Sequence, residues 1–168
     1  MKKIIVLVLA LAFVPLLSFA DFGIGGSAYF NSPVLIGQDV DAHELWDGGF
    51  TFGGDVRLKL LKILQLETLA LFSLDKETNS FSLLPNAGLA FDLAFLRLSA
   101  GVGPTLVVLF DSPLDKPALL GFNAKANADI MLGPVSVGLS YLMALNLDDG
   151  IALDKSTGML GANVLFWF

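Results

Sequence analysis

The sequence contains no cysteine, a single histidine and few charged residues, at 15% of the chain. The absence of cysteine excludes a disulfide framework, a thiolate metal site, a cysteine nucleophile and a lipid-attachment cysteine. Soluble domains carry about 25% charged residues. The lower charge content of this chain, together with 55% hydrophobic residues, indicates a lipid environment or an unusually large core. The apolar content also excludes intrinsic disorder. A net charge of −6 argues against nucleic-acid partners, which need basic surfaces.

The first 20 residues have the three parts of a secretory signal. Two lysines at positions 2 and 3 precede an uncharged run from Ile4 to Leu17, and Ser18 and Ala20 supply small residues at its end. This arrangement is typical of a cleaved signal peptide. The sequence therefore predicts a signal peptide over residues 1–20 and a mature domain over residues 21–168. An uncleaved membrane anchor is the alternative, which the small residues at the cleavage position disfavour.

Residues Leu120 to Met131 alternate between apolar and polar side chains with a period of two. One face carries Leu120, Phe122, Ala124, Ala126, Ala128 and Ile130, and the other carries Gly121, Asn123, Lys125, Asn127 and Asp129. A strand places these two sets on opposite faces, whereas a helix would distribute the polar residues without a continuous apolar stripe. The alternation therefore predicts a strand with one face toward lipid and the other toward a polar interior.

Eight segments show this pattern or continue it, and each is near the roughly 9–11 residues that a tilted strand needs to cross a bilayer. They are Phe22–Asn31, Phe50–Leu60, Leu64–Leu74, Asn86–Leu93, Leu96–Phe110, Leu120–Met131, Val135–Leu147 and Gly158–Phe168. The predicted fold class is all-β, an eight-stranded antiparallel up-and-down transmembrane β-barrel. A helical membrane protein is the alternative, since Ile130–Leu147 has no charge over 18 residues. The other segments are interrupted by charges too often to span a bilayer as helices.

The connections between these segments alternate between short and long. Tight joins are predicted at Leu61–Lys62, Ala94–Phe95 and Gly133–Pro134, and longer gaps at Ser32–Gly49, Asp75–Pro85, Asp111–Leu119 and Asp148–Thr157. Outer-membrane barrels have short periplasmic turns and longer external loops. The long gaps hold eleven acidic and three basic side chains. The sequence thus predicts acidic external loops and both chain ends in the periplasm.

Phenylalanines fall near the predicted ends of the strands, where barrels carry aromatic girdles at the two membrane interfaces. The predicted outer girdle comprises Phe30, Phe50, Phe72, Phe110 and Phe122, and the inner one Phe22, Phe91, Phe166 and Phe168. The chain resembles the small eight-stranded outer-membrane proteins such as the OmpX-like and OmpW-like barrels, most specifically in its last strand and terminal Phe168. The resemblance implies a location in the outer membrane of a diderm bacterium. It also implies that Phe166 and Phe168 form a signal for the outer-membrane assembly machinery.

Charged residues on the inward faces balance in sign, which predicts a charge network in a neutral lumen. The predicted network comprises Asp55, Arg57, Lys59, Glu67, Asp92, Arg97, Lys125 and Asp129. Buried ions are usually paired, so one interpretation is a filled interior in a barrel with a structural or surface-interaction role. The alternative is a conduit or binder for small hydrophobic molecules, as the likeness to OmpW-like barrels implies. It depends on small inward residues that would leave room: Gly23, Gly25, Ser27, Gly53, Gly88, Gly101, Gly103, Gly121, Gly138 and Gly161.

Catalytic and metal-binding sites are not predicted. The single histidine, His43, lies in the first long gap without a nucleophile and base arrangement around it, and a triad needs a histidine beside its nucleophile. Asp39, Asp41, Glu44 and Asp47 crowd oxygen ligands into the same gap, but their spacing does not match a calcium loop. We therefore expect no enzyme activity, no cofactor and no metal site, and outer-membrane lipids as the surrounding partners.

Overall fold

The structure is a computed structural model and describes residues 20–30, 50–74, 79–110, 118–146 and 157–168. Eight antiparallel strands form one closed barrel in chain order. They are β1 (Asp21–Phe30), β2 (Phe50–Leu60), β3 (Leu64–Leu74), β4 (Asn79–Leu93), β5 (Leu96–Phe110), β6 (Ala118–Leu132), β7 (Val135–Asn146) and β8 (Thr157–Trp167). The predicted fold class is therefore confirmed. Residues 1–19 of the predicted signal peptide, His43 and all eleven acidic residues of the predicted long gaps lie outside the described residues.

The barrel closes through β1 and β8, whose pairing runs from Gly23 opposite Trp167 to Phe30 opposite Leu160. This pairing leaves neither of the two end strands with an open edge, and in lipid an open edge would leave backbone groups without hydrogen bonds. Beyond β8, the backbone N–H of Phe168 donates to the carbonyl of Phe22 over 2.8 Å. The last residue thus extends the closing seam by one further pair.

Three tight turns join the strands at one end of the barrel, and all three lie where the sequence predicts them. Leu61 and Lys62 have φ of 51° and 67°, Ala94 has 55° and Gly133 has 68°. Positive φ is costly for residues with a side chain, so only Gly133 adopts it without strain. We call this end of the barrel the turn end, and the opposite end, where the strands lead into the residues that are not described, the loop end.

Two strands begin earlier than predicted by more than one residue, and β1, β7, β8 and the end of β6 differ from the predicted bounds by one residue. β4 begins at Asn79 rather than Asn86, and β6 begins at Ala118 rather than Leu120. Pro85, predicted to lie in a loop, is inside β4 and pairs with Thr68 of β3. A proline signals a strand end because it lacks an N–H donor, but polar and apolar residues alternate from Ser80 to Leu83 and Phe81 pairs with Phe72. Side-chain packing between β3 and β4 therefore extends the strand past the proline.

The helical alternative for Ile130–Leu147 is wrong. Residues 130–146 form the end of β6, the turn at Gly133–Pro134 and the whole of β7. Within the described ranges, the structure contains no helix long and apolar enough to cross a membrane.

Burial alternates along the strands as the period of two predicts. On β6, Asn123, Lys125, Asn127 and Asp129 are buried, while Ala126, Ala128 and Ile130 are exposed. Large apolar side chains cover the exterior, among them every phenylalanine of the two predicted girdles. Some of these rings pack in pairs across strands, such as Phe30 against Phe50 with centroids 5.4 Å apart. An exterior of this kind is suited to lipid rather than to water.

Candidate functional site: the barrel interior

A buried ion cluster spans the lumen at the centre of the barrel, and we call it the central cluster. It comprises Asp55, Arg57, Glu67, Lys125 and Asp129. Arg57 Nη2 lies 2.7 Å from Asp55 Oδ2, and Arg57 Nη1 lies 2.7 Å from Asp129 Oδ2 on the opposite side of the barrel. Arg57 Nε lies 3.1 Å from Glu67 Oε1. One guanidinium therefore connects β2, β3 and β6.

Lys125 completes the central cluster from β6. Its ammonium lies 3.3 Å from Asp55 Oδ2 and also pairs with Glu67. Because Arg57 pairs with the same two carboxylates, the cations and anions form a closed ring of contacts. Such a ring compensates the cost of removing several charges from water, and it leaves the centre of the lumen occupied by side chains.

Neutral polar side chains surround the central cluster and bond to it. Ser27 donates to Asp55 over 3.0 Å. Asn127 donates to Ser99 over 3.0 Å and accepts from Ser140 over 2.8 Å, and Asn163 donates to Ser140 over 2.8 Å. These hydrogen bonds link β5, β6, β7 and β8. They extend the polar layer around most of the barrel wall.

A second ion group lies nearer the turn end. Arg97 Nε lies 2.6 Å from Asp92 Oδ1, and Lys59 Nζ lies 2.5 Å from Asp92 Oδ2. Arg97 Nη2 also reaches Asp21 Oδ2 over 3.2 Å. The Arg97 guanidinium stacks 4.2 Å above the ring of Trp167, whose indole N–H donates to Ser136 over 2.9 Å. Asp21 and Trp167 were not among the predicted lumen residues, although Trp167 has the inward parity of β8.

The eight residues of the predicted charge network thus occupy two groups. Asp55, Arg57, Glu67, Lys125 and Asp129 form the central cluster, and Lys59, Asp92 and Arg97 join Asp21 at the turn end. Seven of the eight are buried, while the Asp92 side chain keeps 43% of its surface exposed. No group of three histidine, aspartate or glutamate side chains in the described ranges is arranged to hold a metal ion.

An apolar cluster lies in the lumen on the loop-end side of the central cluster, and sequence reasoning missed it. It comprises Tyr29, Leu69, Leu71, Leu84 and Leu142, with Met159 packed against it. The signal was present in β3, where Leu69 and Leu71 have the same parity as Gln65 and Glu67. This parity places the two leucines in the interior.

Seven of the small inward glycines lie close to other atoms of the barrel. A Cβ atom at Gly25, Gly53, Gly88 or Gly103 would lie 1.8 to 2.0 Å from a carbonyl oxygen of the neighbouring strand. Side chains cover three further glycines: Trp167 covers Gly23, Asp129 covers Gly138 and Tyr29 covers Gly161. These seven glycines therefore permit close approach of strands and of large side chains.

Comparisons with known proteins agree with this architecture. The sequence matches no protein-family model and no curated protein. The structure is similar to the N-terminal β-barrel domain of OprF from Pseudomonas aeruginosa, with a TM-score of 0.65, 13% identity and coverage of 89% of this chain and 98% of that one. It is also similar to Neisserial surface protein A, with a TM-score of 0.51, 13% identity and coverage of 89% and 96%. The chain has the fold of the small outer-membrane β-barrels, which agrees with the predicted resemblance and location.

Proposed function

We propose that this protein is an integral outer-membrane β-barrel with a closed interior and a structural or surface-interaction role, without enzyme activity. The closed interior would hold the barrel in one shape in the membrane. Its acidic long connections, which lie outside the described residues, would then meet ligands or the lipid surface outside the cell.

The observation that carries this proposal is the presence of two side-chain clusters in the lumen. The central cluster bridges the barrel from Arg57 to Asp129, and the apolar cluster around Leu69 and Leu142 lies toward the loop end. An ion or polar solute would have to break buried ion pairs and then pass a layer of apolar side chains. Both steps are costly in an interior that excludes water.

Uptake by liposomes tests the proposal. The purified barrel, reconstituted into vesicles, should give no more uptake of small sugars and small apolar solutes than protein-free vesicles do, while a general porin in parallel vesicles gives rapid uptake. Substantial uptake of sugars through the barrel would contradict a closed interior.

A conduit or binder for small hydrophobic molecules is the second candidate. The observation that favours it is the apolar cluster, since an interior lined by Leu71, Leu84 and Leu142 would suit an apolar solute better than an ion. The same uptake assay separates the two functions. Selective uptake of apolar solutes, with sugars excluded, would favour the conduit.

We also propose that outer-membrane lipids and the outer-membrane assembly machinery are the partners of this barrel. Phe166 and Phe168 have exposed side chains at the turn end of β8, with ring centroids 4.9 Å apart. Their position at the chain end and outside the barrel wall supports a role as an assembly signal, because a receptor could contact both rings before the barrel closes.

A further inference from the structure

The wall between β4 and β5 contains a stretch without regular pairing, which we call the proline seam. Leu83 pairs with Leu106 and Ala87 with Val102, while the three residues between them on each strand have no partners in the ladder between β4 and β5. The register is the same on both sides, so Pro85 lies opposite Pro104. Neither proline has an N–H to donate, and the backbone bonds that would join the strands at this level cannot form.

A side chain from the next strand compensates part of this loss. Asn123 of β6 donates to the carbonyl oxygens of Gly103 and Pro104, each over 3.0 Å, and to Thr105 Oγ1 over 3.0 Å. One amide group has two hydrogens to share among these three acceptors. The proline seam is therefore held by fewer and more adaptable bonds than a regular ladder of the same length.

An apolar groove of about 660 Å³ lies beside the proline seam on the exterior of β4 to β7. Its floor consists of small outward side chains, those of Ala87, Ala100, Ala124 and Ala126. Larger side chains frame it: Leu89, Phe91, Leu98 and Val102 on β4 and β5, and Tyr141 and Met143 on β7. Lys125 also contributes to the lining, but its ammonium is paired inside the barrel with Asp55 and Glu67.

The position of the groove determines what can occupy it. It lies on the outward face in adjacent register rows, in which Ala87, Val102, Ala124 and Met143 form one row and Leu89, Ala100, Ala126 and Tyr141 form the next. It is continuous with the exposed apolar exterior that contacts the membrane, where the surrounding medium consists of acyl chains. Its lining offers no free charge for a headgroup, so a long flexible apolar chain is the chemistry that fits.

We propose that the groove beside the proline seam binds one acyl chain of a bilayer lipid. The alanine floor admits the chain between the larger framing side chains, and the adaptable proline seam allows the wall to adjust to it. The lipid headgroup remains at the membrane interface. This binding is independent of whether the lumen conducts solutes.

Native mass spectrometry of the intact barrel, released from detergent containing phosphatidylethanolamine, tests this proposal. Wild-type barrels should retain one tightly held lipid. The variant Ala126→Phe fills the groove and should lower the retained fraction about tenfold, through lost contacts along the chain. The matched control is Ala128→Phe, which adds the same ring to the same face of β6 outside the groove lining and should keep the wild-type fraction.

Folding of each variant is checked by heat-modifiable mobility before lipid is counted. Equal lipid retention by A126F and A128F would overturn the proposal. So would a shift from dimer to monomer in A126F alone, because the groove would then be an interface between two copies of the chain.

A double variant, Pro85→Val with Pro104→Val, tests the contribution of the seam. The two restored N–H donors should slow amide exchange at Leu84, Asn86, Gly103 and Thr105 and also lower lipid retention. If exchange slows while lipid retention stays at the wild-type fraction, the seam has no part in lipid binding and that element of the proposal is wrong.

Discussion

At the scale of single residues, Arg57 makes more buried ion pairs than any other side chain of the described residues. It pairs with carboxylates on β2, β3 and β6 and is fully buried. The substitution Arg57→Met removes the cation and leaves Asp55, Glu67 and Asp129 with less compensation. Breaking a buried pair in this way costs about 3–5 kcal/mol, so the free energy of unfolding should fall by about that amount. Urea unfolding in phospholipid vesicles, followed by tryptophan fluorescence, measures it.

Arg97 provides the matched control for this prediction. Its carboxylate partners Asp92 and Asp21 keep 43% and 57% of their side-chain surface exposed, and water can solvate them after Arg97 is replaced. Arg97→Met should therefore cost less than Arg57→Met. An equal loss in both variants would show that the central cluster contributes no more than a pair at the rim.

The sequence shows which charged residues belong to the inward face of a strand. It does not show which residue each of them pairs with. Arg57 and Glu67 are register partners on adjacent strands, and a correct hairpin predicts their contact. Arg57 and Asp129 are 72 positions apart and meet only because the closed barrel brings β2 and β6 to opposite sides of a narrow lumen. Their contact depends on the tilt and stagger of the strands, which no local pattern contains.

At the scale of a strand, β6 offers neighbouring positions with opposite surroundings. Ala126 is exposed on the lipid face, whereas Asn127 is buried and bonded to Ser99 and Ser140. An arginine on the lipid face near the membrane midplane costs about 2–4 kcal/mol. Ala126→Arg should therefore reduce insertion far more than Asn127→Arg, which mainly disturbs pairing in the lumen.

Insertion of both variants is compared as the fraction that shows heat-modifiable mobility in membrane fractions. The reverse order, with Asn127→Arg inserting less than Ala126→Arg, would contradict the assignment of faces on β6. Equal insertion of the two variants would mean that alternation does not distinguish the lipid face of this strand from its lumen face.

The last strand carries the prediction on assembly. Deleting Phe168, or replacing it by Ser, should lower the folded outer-membrane fraction without changing export across the inner membrane. Phe168 pairs through its backbone with Phe22 and is 72% exposed, so its loss removes both a closing bond and the terminal aromatic group. Protease resistance in membrane fractions, compared with the processed periplasmic pool, measures the effect. A normal folded yield from the truncated chain would exclude a role of Phe168 in assembly.

The sequence predicts the bounds of a strand correctly where apolar and polar residues alternate strictly. It predicts them wrongly where a single proline suggests a loop inside a strand. β2 and β3 have the predicted bounds, because charged residues mark the inward parity of both. The start of β4 is missed because Pro85 suggests a loop, although cross-strand packing of Phe81 on Phe72 continues past it. Pro85 lies at the level of Pro104 in a stretch where β4 and β5 have no regular pairing, so its missing donor interrupts no regular ladder between these two strands.

At the scale of the whole molecule, the barrel has two unlike ends. The turn end holds three tight turns, the start of β1 at Asp21, the last residue Phe168, and the ion group of Arg97 with Asp92. In outer-membrane barrels short turns face the periplasm and longer connections face outward.

A cysteine introduced at Asp41 or Asp149, in the long acidic connections, should therefore react with a membrane-impermeant maleimide on intact cells, and a cysteine at Lys62 in the first tight turn should not. The chain has no native cysteine, so each label reports one position. Labelling of Lys62→Cys on intact cells with protection of the other two sites would mean that the barrel is inserted in the opposite direction.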